Sequence, residues 1–369
     1  MRFLDFGWRQ SNLHKTINRN LLILVLLLLF LGLVFVADAS APQALSMFDD
    51  KFYFLKQQLI WAAIGIAAFF AVSKIKYSFW EKVSTPFFIV TIILLIIVLI
   101  PGVGFTTLGA RRWIPLGFFS IQPSELVKLS LCILLAKAAS KKKSAMTFFV
   151  PVVLVIGLIM LQPDLGTALV VSGIAFSQIF VSGISMLHIL GSLIVGVLAT
   201  LVLILISPYR KERLLTFLEA TRDPLGKSYH IRQILIALGS GGITGVGLGA
   251  SRQKFLFLPE SSTDSIFAVI AEELGLIGAV IIIFLFGYFL YLGFKIARNA
   301  PDVFSSTLAT GITVWIGGQA FLNIASMVAL VPLTGIPLPF MSYGGSSLVM
   351  ILSACGILLN ISKYAVKKR

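Results

Sequence analysis

Long apolar runs recur along almost the whole chain, and they limit its fold more than any other feature. A helix that crosses a bilayer needs about 20 apolar residues, and within lipid only helices and closed barrels satisfy their backbone polar groups. Ten suitable runs are present, at 21–37, 57–73, 83–100, 124–140, 148–162, 165–182, 187–207, 264–293, 304–331 and 341–362. The sequence therefore predicts an all-α, polytopic membrane protein with about ten transmembrane helices.

Composition agrees with a single membrane domain. Of the 369 residues 58% are hydrophobic, against about 45–50% in soluble domains. We predict one domain over 1–369, with a long extracytoplasmic loop, 208–263, between helices 7 and 8. Ala37-Asp38-Ala39 resembles a signal-peptide cleavage site. However, the apolar run before it is longer than the usual core of about 7–15 residues, so we interpret that run as an uncleaved first span.

The charge of the chain predicts its orientation. Thirty Lys and Arg residues against 15 Asp and Glu residues make a net charge of +15. These charges are scattered between spans, which argues against a nucleic-acid partner and is typical of loops that hold a topology. With the N-terminus inside, the short outer loops hold only Lys51, Lys56, Arg111 and Arg112. Both termini are therefore predicted to be cytoplasmic, with the loop 208–263 outside.

The stretch 223–278 interrupts the apolar pattern and holds the strongest candidate for chemistry. Asp264 stands at the mouth of the eighth span, where a carboxylate half-shielded from water can act as a general base. The alternative is structural: Thr263 or Ser262 caps a helix that starts there, and an acid in the first turn suits the helix dipole. Glu260, about one turn earlier, can hydrogen-bond Asp264, hold the loop or bind a cation.

Charged residues also lie inside the predicted spans, where they are costly and usually face a partner or a cavity. Glu125 and Lys128 are three residues apart on the fourth span, so they share a helix face. An intrahelical ion pair and a role toward substrate are both open. For Glu272 and Glu273 we expect interhelical pairing, for example with Lys128.

Arginines and glycines in the outer segments suit an anionic ligand. Arg111 and Arg112 adjoin Trp113, and this pair can bind lipid head groups or clamp a diphosphate by bidentate hydrogen bonds. The glycines of 239–249 can let backbone N–H groups approach phosphate oxygens, or they can form turns between short re-entrant helices. Further positive charge on the same predicted side comes from Arg210, Lys211, Arg213, Lys227, Arg232, Arg252 and Lys254.

Two further outer segments carry polar groups next to rigid or tight backbone. Asp164 lies in the turn between the fifth and sixth spans. The segment Gly335–Ser347 has prolines at its start and polar residues at its end. It predicts a broken helix that enters from outside and lines a cavity.

Nine segments together resemble the SEDS family of polytopic membrane proteins, the cell-division, rod-shape and sporulation peptidoglycan polymerases. They are GARRWI (109–114), QPSELVK (122–128), QPDLGTA (162–168), DPLGKSYHIRQ (223–233), IALGSGG (236–242), GLGASRQKFLFLPE (247–260), TD (263–264), AEELGLIG (271–278) and TGIPLPFMSYGGSS (334–347). They span most of the chain in the expected order. The compact GLGASRQK is similar to the cell-division branch. Ser262 and Ser265 depart from the pattern, since the family usually has His and Phe there.

The resemblance implies a glycosyltransferase that polymerises glycan strands from lipid II, a polyprenyl-diphosphate disaccharide-peptide. It would act at the outer face of the bacterial cytoplasmic membrane, with the division septum as one location, and its usual partner is a class B penicillin-binding transpeptidase. Asp264 matches the family's catalytic acid. A divalent cation, Mg or Mn, could help to stabilise the departing charge, but the sequence shows no defined ligand set. The candidate substrate-binding residues are Arg111, Arg112, Glu125, Lys128, Asp164, Arg232, Gln233, Lys254, Glu260 and Ser342.

Two other functions fit the same composition. A lipid II flippase or another transporter would hold its substrate near the bilayer midplane, between repeats with broken helices. A non-catalytic scaffold would only recruit the transpeptidase. The polar residues concentrate at the predicted outer face and no internal repeat is visible, so the sequence favours the polymerase.

Overall fold

The computed structural model describes residues 3–107, 110–117, 119–185, 187–192, 194, 196, 217 and 228–365. Its principal helices, in chain order, are α1 (Phe3–Phe48), α2 (Tyr53–Lys74), α3 (Ser78–Ile97), α4 (Pro123–Ser140), α5 (Ala145–Leu161), α6 (Leu165–Val181), α7 (Tyr229–Gly241), α8 (Ile266–Arg298), α9 (Val303–Met327) and α10 (Gly345–Lys363). The mostly helical fold that the sequence predicts is confirmed.

Nine of the ten predicted spans coincide with helices of the structure. Among the described residues, six helices are long and apolar enough to cross a membrane, namely α1 from Asn18, α2, α3, α8, α9 and α10, while α5 and α6 are shorter apolar helices. The seventh predicted span, 187–207, lies largely outside the described residues, as does the loop from 208 to 227 apart from residue 217. The total of about ten transmembrane helices therefore stays a prediction.

A small antiparallel sheet, absent from the sequence prediction, precedes α4. Its strands pair in the order β1-β2-β3, and they are β1 (Phe105–Thr107), β2 (Ala110–Leu116) and β3 (Phe119–Ile121). Phe105 pairs with Trp113, and Ile114 pairs with Ile121. β-Branched and aromatic side chains favour strands, and Gly117 turns the chain between β2 and β3 at a φ of 70°. The sheet gives Arg111 and Arg112 fixed positions that a loose loop would not.

Close helix contacts in this fold depend on glycine. Lipid tails are as apolar as the helices, so packing in a membrane depends on small residues that let backbones approach. A Cβ on Gly356 of α10 would lie 2.6 Å from the carbonyl oxygen of Phe69 on α2. A Cβ on Gly65 of α2 would lie 2.5 Å from the Leu352 side chain of α10. These two glycines therefore set the spacing of α2 and α10.

The segment 242–247 supplies hydrogen-bond partners to the backbone at a break in α8. Gly275 has a φ of 67° and a ψ of −166°, which interrupts the helical hydrogen bonds. The N–H of Val246 donates to the carbonyl of Glu272 at 3.0 Å, and the N–H of Leu276 donates to the carbonyl of Gly242 at 2.9 Å. Backbone groups at membrane depth must find such partners inside the protein. The structure thus explains how a broken helix persists here.

The glycines of this segment serve close packing. The N–H groups of Gly245 and Gly247 donate to carbonyls of the protein at 2.8 and 3.0 Å, so they do not face a phosphate. A Cβ on Gly245 would lie 2.0 Å from the carbonyl oxygen of Glu273. Of the two interpretations of 239–249, the structure therefore agrees with turns beside a short helix, α7.

Gly241→Ala should destabilise the protein, whereas Gly239→Ala should not. A Cβ at Gly241 would lie 2.2 Å from the carbonyl oxygen of Ala271, while one at Gly239 meets nothing within 4 Å. We expect Gly241→Ala to cost about 1–3 kcal/mol by overpacking, and Gly239→Ala to be neutral or stabilising, since Ala favours a helix over Gly by up to about 1 kcal/mol. The midpoint of thermal unfolding of the purified protein measures both. Equal midpoints for the two variants would contradict the close contact.

Candidate functional site

Asp264 lies just before α8 and not in its first turn. The N-cap is Ser265, whose side chain makes no capping hydrogen bond. A turn precedes it, in which the N–H groups of Thr263 and Ser265 donate to the carbonyl of Glu260 at 3.1 and 3.0 Å. The alternative that Thr263 or Ser262 caps a helix starting at Asp264 is therefore wrong.

Two neighbouring elements hold the backbone on either side of Asp264. The Asn323 side chain on α9 donates to the Asp264 carbonyl at 2.8 Å and also to the carbonyl of Ile336 at 2.8 Å. The Ser342 hydroxyl donates to the carbonyl of Thr263 at 2.5 Å. Ser342, predicted to bind substrate, thus acts on the loop that carries Asp264.

A cavity of about 650 Å³ opens in front of Asp264. It brings together six of the eleven predicted site residues: Asp264, Glu260, Arg112, Glu125, Lys128 and Asp164. The half-buried Asp264 shares this space with aromatic side chains, among them Tyr53, Trp61, Trp113, Phe119 and Tyr343. The arrangement offers carboxylates, cations and apolar ring faces to one ligand.

The segment between α9 and α10 forms part of the cavity wall but is not a helix. Residues 328–344 contain isolated turns, such as the one closed by the Ser342 N–H and the Leu338 carbonyl at 3.0 Å, but no α-helix. The predicted broken helix is therefore wrong in form, because prolines and a left-handed Phe340 (φ 65°) prevent a continuous helix. Its predicted role in lining a cavity is confirmed, since Gly335, Ile336, Pro337 and Tyr343 all face it. Burial raises the pKa of the Tyr343 phenol above its usual range, so it stays a neutral hydroxyl.

Glu125 and Lys128 form a buried ion pair at the cavity wall. Lys128 Nζ lies 2.8 Å from Glu125 Oε1, and both side chains are only 2% exposed. The same ammonium donates to Gln319 Oε1 at 2.8 Å and lies 5.2 Å from the centre of the Trp315 ring. Among the described residues Glu125 Oε2 has no hydrogen-bond partner. A buried acceptor without a partner is costly, so a ligand hydroxyl in the cavity would be a favourable partner.

Arg112 holds the turn that carries Asp164. Its guanidinium donates to the carbonyls of Gln162 and Pro163 at 3.2 and 2.6 Å, and Nε lies 3.9 Å from Asp164 Oδ2. Asp164 caps α6 by accepting from the N–H of Thr167. The Arg112 side chain is still 26% exposed, so it can also face an anion in the cavity. The exposed Arg111 is not among the residues that line the cavity, so the structure does not bring the two arginines together as one clamp.

Lys254 is an internal crosslink and not part of the cavity wall. Its ammonium lies 2.7 Å from Asp38 Oδ1 on α1 and 2.7 Å from Glu273 Oε1 on α8. Glu272 and Glu273 do pair outside α8, but not with Lys128, the example given for interhelical pairing. Glu273 pairs with Lys254. Glu272 accepts from the Ser240 hydroxyl on α7 at 3.3 Å and from the 251–253 segment. Lys128 lies on α4, where Glu125 is its nearer carboxylate.

The predicted substrate contacts on α7 also lie away from the cavity. Arg232 is exposed and Gln233 half-buried, and neither lines the cavity. Their neighbour His230 does approach the loop that carries Asp264, with Nε2 2.8 Å from the hydroxyl of Ser265. Ser262 and Ser265 are the two positions that depart from the family pattern, and the family's usual histidine is missing at 262. His230 on α7 therefore brings a histidine to a loop that has none in its own sequence.

Sequence reasoning missed the polar residues of α9. Gln319 binds Lys128 and the carbonyl of Pro337, and Asn323 binds the Asp264 carbonyl. The signal was available, because two amides four residues apart on an apolar span share one helix face and need partners. Only the identity of those partners needed the structure.

Residues 18–367 match the family of cell cycle proteins described as FtsW, RodA and SpoVE. Stage V sporulation protein E of Bacillus subtilis (strain 168) is 45% identical over 353 residues, which are 94% of this chain and 96% of that protein. A probable peptidoglycan glycosyltransferase FtsW of Trichlorobacter lovleyi is 40% identical over 350 residues, which are 93% of this chain and 92% of that protein.

Solved structures agree with this similarity. A chain of a peptidoglycan synthase complex, solved to describe how polymerization and crosslinking are coordinated, has a TM-score of 0.76 at 30% identity and covers 93% of this chain and 96% of its own length. The rod shape determining protein RodA of Thermus thermophilus has a TM-score of 0.70 at 29% identity, with 95% and 97% covered. The likeness extends over nearly the whole fold.

Proposed function

Because the chain belongs to the FtsW, RodA and SpoVE family of cell cycle proteins and is a peptidoglycan glycosyltransferase, we propose that it polymerises lipid II at the outer face of the bacterial cytoplasmic membrane. Cell division or cell shape is the process it serves. The observation that carries the proposal is the position of Asp264, outside any helix and half-buried, in a cavity with three further acids and an arginine.

In the proposed reaction, the 4-hydroxyl of the acceptor sugar attacks the anomeric carbon of the donor sugar. A glycosidic C–O bond forms, the bond to the diphosphate oxygen breaks, and Asp264 takes the hydroxyl proton as general base. The diphosphate is already a good leaving group, so no second carboxylic acid is needed. This differs from glycoside hydrolysis, which uses a pair of carboxyl groups.

The other cavity residues suit binding and charge stabilisation. The exposed part of the Arg112 guanidinium can stabilise the negative charge of the departing diphosphate. Glu125 Oε2 can accept a hydrogen bond from a sugar hydroxyl, since Lys128 is bound to the other oxygen. The aromatic side chains near the opening offer apolar surface to the sugar rings and the polyprenyl chain.

A Mg or Mn ion stays a prediction. The described residues contain no group of three or more His, Cys, Asp or Glu side chains that could hold a metal ion. Because these donors do not form a metal site, no step of the proposed reaction depends on one.

Different observations support the transpeptidase partner and the orientation of the chain in the membrane. A structural neighbour comes from a complex that coordinates polymerization with crosslinking, which supports a class B penicillin-binding transpeptidase as partner. Loop charge supports cytoplasmic termini.

The full-length purified protein and lipid II test the proposal, with and without the transpeptidase. Glycan strands resolved on a gel would support the polymerase. Translocation of lipid II across proteoliposomes without any polymer would favour the flippase. Neither activity from folded protein together with its partner would favour the scaffold.

Arg112→Gln should lower the rate of polymerisation more than Arg111→Gln. Arg112 lines the cavity and holds the Asp164 turn, and a hydrogen bond to a charged group contributes about 1.5–3 kcal/mol. We therefore expect kcat/KM to fall by about ten- to a hundredfold. Arg111→Gln removes the same charge from an exposed neighbour, with an expected change below about threefold. Equal losses in the two variants would instead indicate a shared electrostatic role.

A further inference from the structure

A second cavity, of about 580 Å³, lies between α3, α4 and α5. It is near the other end of α4 from the Asp264 cavity, because Glu125 and Lys137 are 12 residues apart and a helix rises about 1.5 Å per residue. Three lysines line it, Lys137, Lys141 and Lys143. The proposed glycosyltransferase activity does not use this cavity.

The charge of this second cavity is one-sided. None of the described residues that line it is acidic. Lys137 Nζ donates to the hydroxyl of Thr85 at 3.0 Å, and no salt bridge of the described residues involves any of the three lysines. The nearest acid on α3, Glu81, accepts instead from the hydroxyl of Ser140 at 2.8 Å. Three lysines that line one cavity without a lining carboxylate favour an anion.

The turn between α4 and α5 fixes the backbone of two of these lysines, whose side chains are exposed. The N–H groups of Lys142 and Lys143 donate to the carbonyls of Ala139 and Ala138, at 3.1 Å each. Lys142 itself has a φ of 47°, which reverses the chain within a few residues. Lys141 and Lys143 therefore flank the cavity from one short, hydrogen-bonded turn.

The rest of the cavity is apolar and faces outward. Its wall includes the buried Phe88 and Pro151. Three exposed hydrophobic side chains on α5 complete it, namely Met146, Val150 and Leu154. In a membrane protein such a wall faces hydrocarbon, and lysines at its edge extend to the head-group level. The cavity therefore combines lysines at one edge with an apolar wall, within a volume of about 580 Å³.

We propose that this cavity binds one anionic phospholipid of the surrounding bilayer. The lipid phosphate lies among the three lysines, and one acyl chain lies along α5 against the apolar wall. Basic pockets between transmembrane helices are known to suit such head groups. A zwitterionic lipid fits less well, because its ammonium would meet three cations and no lining carboxylate.

The full-length protein in detergent tests this by native mass spectrometry, with dioleoyl-phosphatidylglycerol and dioleoyl-phosphatidylcholine as probes. Each basic residue near an anionic lipid strengthens the attraction by about fivefold. The variant Lys137→Gln/Lys141→Gln/Lys143→Gln should therefore bind phosphatidylglycerol about a hundredfold more weakly, with its weak binding of phosphatidylcholine unchanged. The matched control Lys74→Gln/Lys76→Gln/Lys295→Gln removes three charges outside this cavity and should bind like the wild type.

A second variant tests the apolar wall without changing the charge. Val150→Trp places a bulky ring on an exposed position of the wall, where it does not disturb the core. It should weaken phosphatidylglycerol binding at least about tenfold. Equal binding of the two lipids by the wild type, equal losses in the two lysine variants, or full binding by Val150→Trp would each overturn the proposal. None of these outcomes depends on polymerase activity.

Discussion

Asp264→Asn should abolish glycan-strand formation. An amide keeps the size and much of the hydrogen bonding of the carboxylate but cannot take the proton of the acceptor hydroxyl. General-base catalysis contributes about a hundredfold to ten-thousandfold, so we expect a loss of that size in kcat with a smaller change in KM. Time courses of polymer formed from lipid II by the purified variant measure it.

Asp49→Asn is the matched control for this experiment. Asp49 is exposed and lies after α1, with a φ of 54°, a conformation that asparagine tolerates well. It removes one carboxylate outside the cavity and should polymerise at the wild-type rate. If Asp264→Asn were as active as this control, Asp264 would not be the base, and a scaffold or another catalytic group would have to be considered.

Lys254→Met should destabilise the protein by about 3–5 kcal/mol, since removal of the lysine leaves the buried Glu273 carboxylate uncompensated, beside the partly exposed Asp38. Lys254 is 3% exposed and bonds to both Asp38 and Glu273 at 2.7 Å. The loss would loosen α1 from the loop and from the broken part of α8. The midpoint of chemical or thermal unfolding in detergent measures the change.

Two comparisons make the Lys254 prediction specific. Lys56→Met breaks the exposed pair with Asp50 and should cost no more than about 1 kcal/mol. Lys254→Met/Glu273→Gln neutralises one of the stranded carboxylates and should recover part of the lost stability. A Lys254→Met protein as stable as Lys56→Met would show that the crosslink contributes little.

The spans and the position of Asp264 before α8 were predictable because each depends on local sequence. Nine apolar runs became helices, although α1 extends well beyond the predicted 21–37 at both ends, since lipid permits few other structures. Asp264 stood out for the same reason, as a carboxylate where an apolar run begins. The error there was local too, because the turn at Glu260 delays the helix to Ile266.

The partners of the buried charges were not predictable in the same way. Lys254 was assigned to substrate and Lys128 was the example given of a partner for Glu273, yet Lys254 and Glu273 pair with each other. Helical spacing relates residues three or four apart. It gave an ion pair as one of two alternatives for Glu125 and Lys128, and the structure shows that pair. It contains no information about which helix lies beside which.

By itself, the sequence determined the membrane class, the order of the spans and the acid at the mouth of α8. Hydropathy and turn chemistry act over about 20 residues or fewer, and each of these features is that local. Only the tertiary structure decided that Asp264, Glu125, Asp164 and Arg112 share one cavity while Lys254 joins Asp38, 216 residues away. Such contacts arise from the packing of whole helices, where a buried charge takes the partner that the backbone brings within reach.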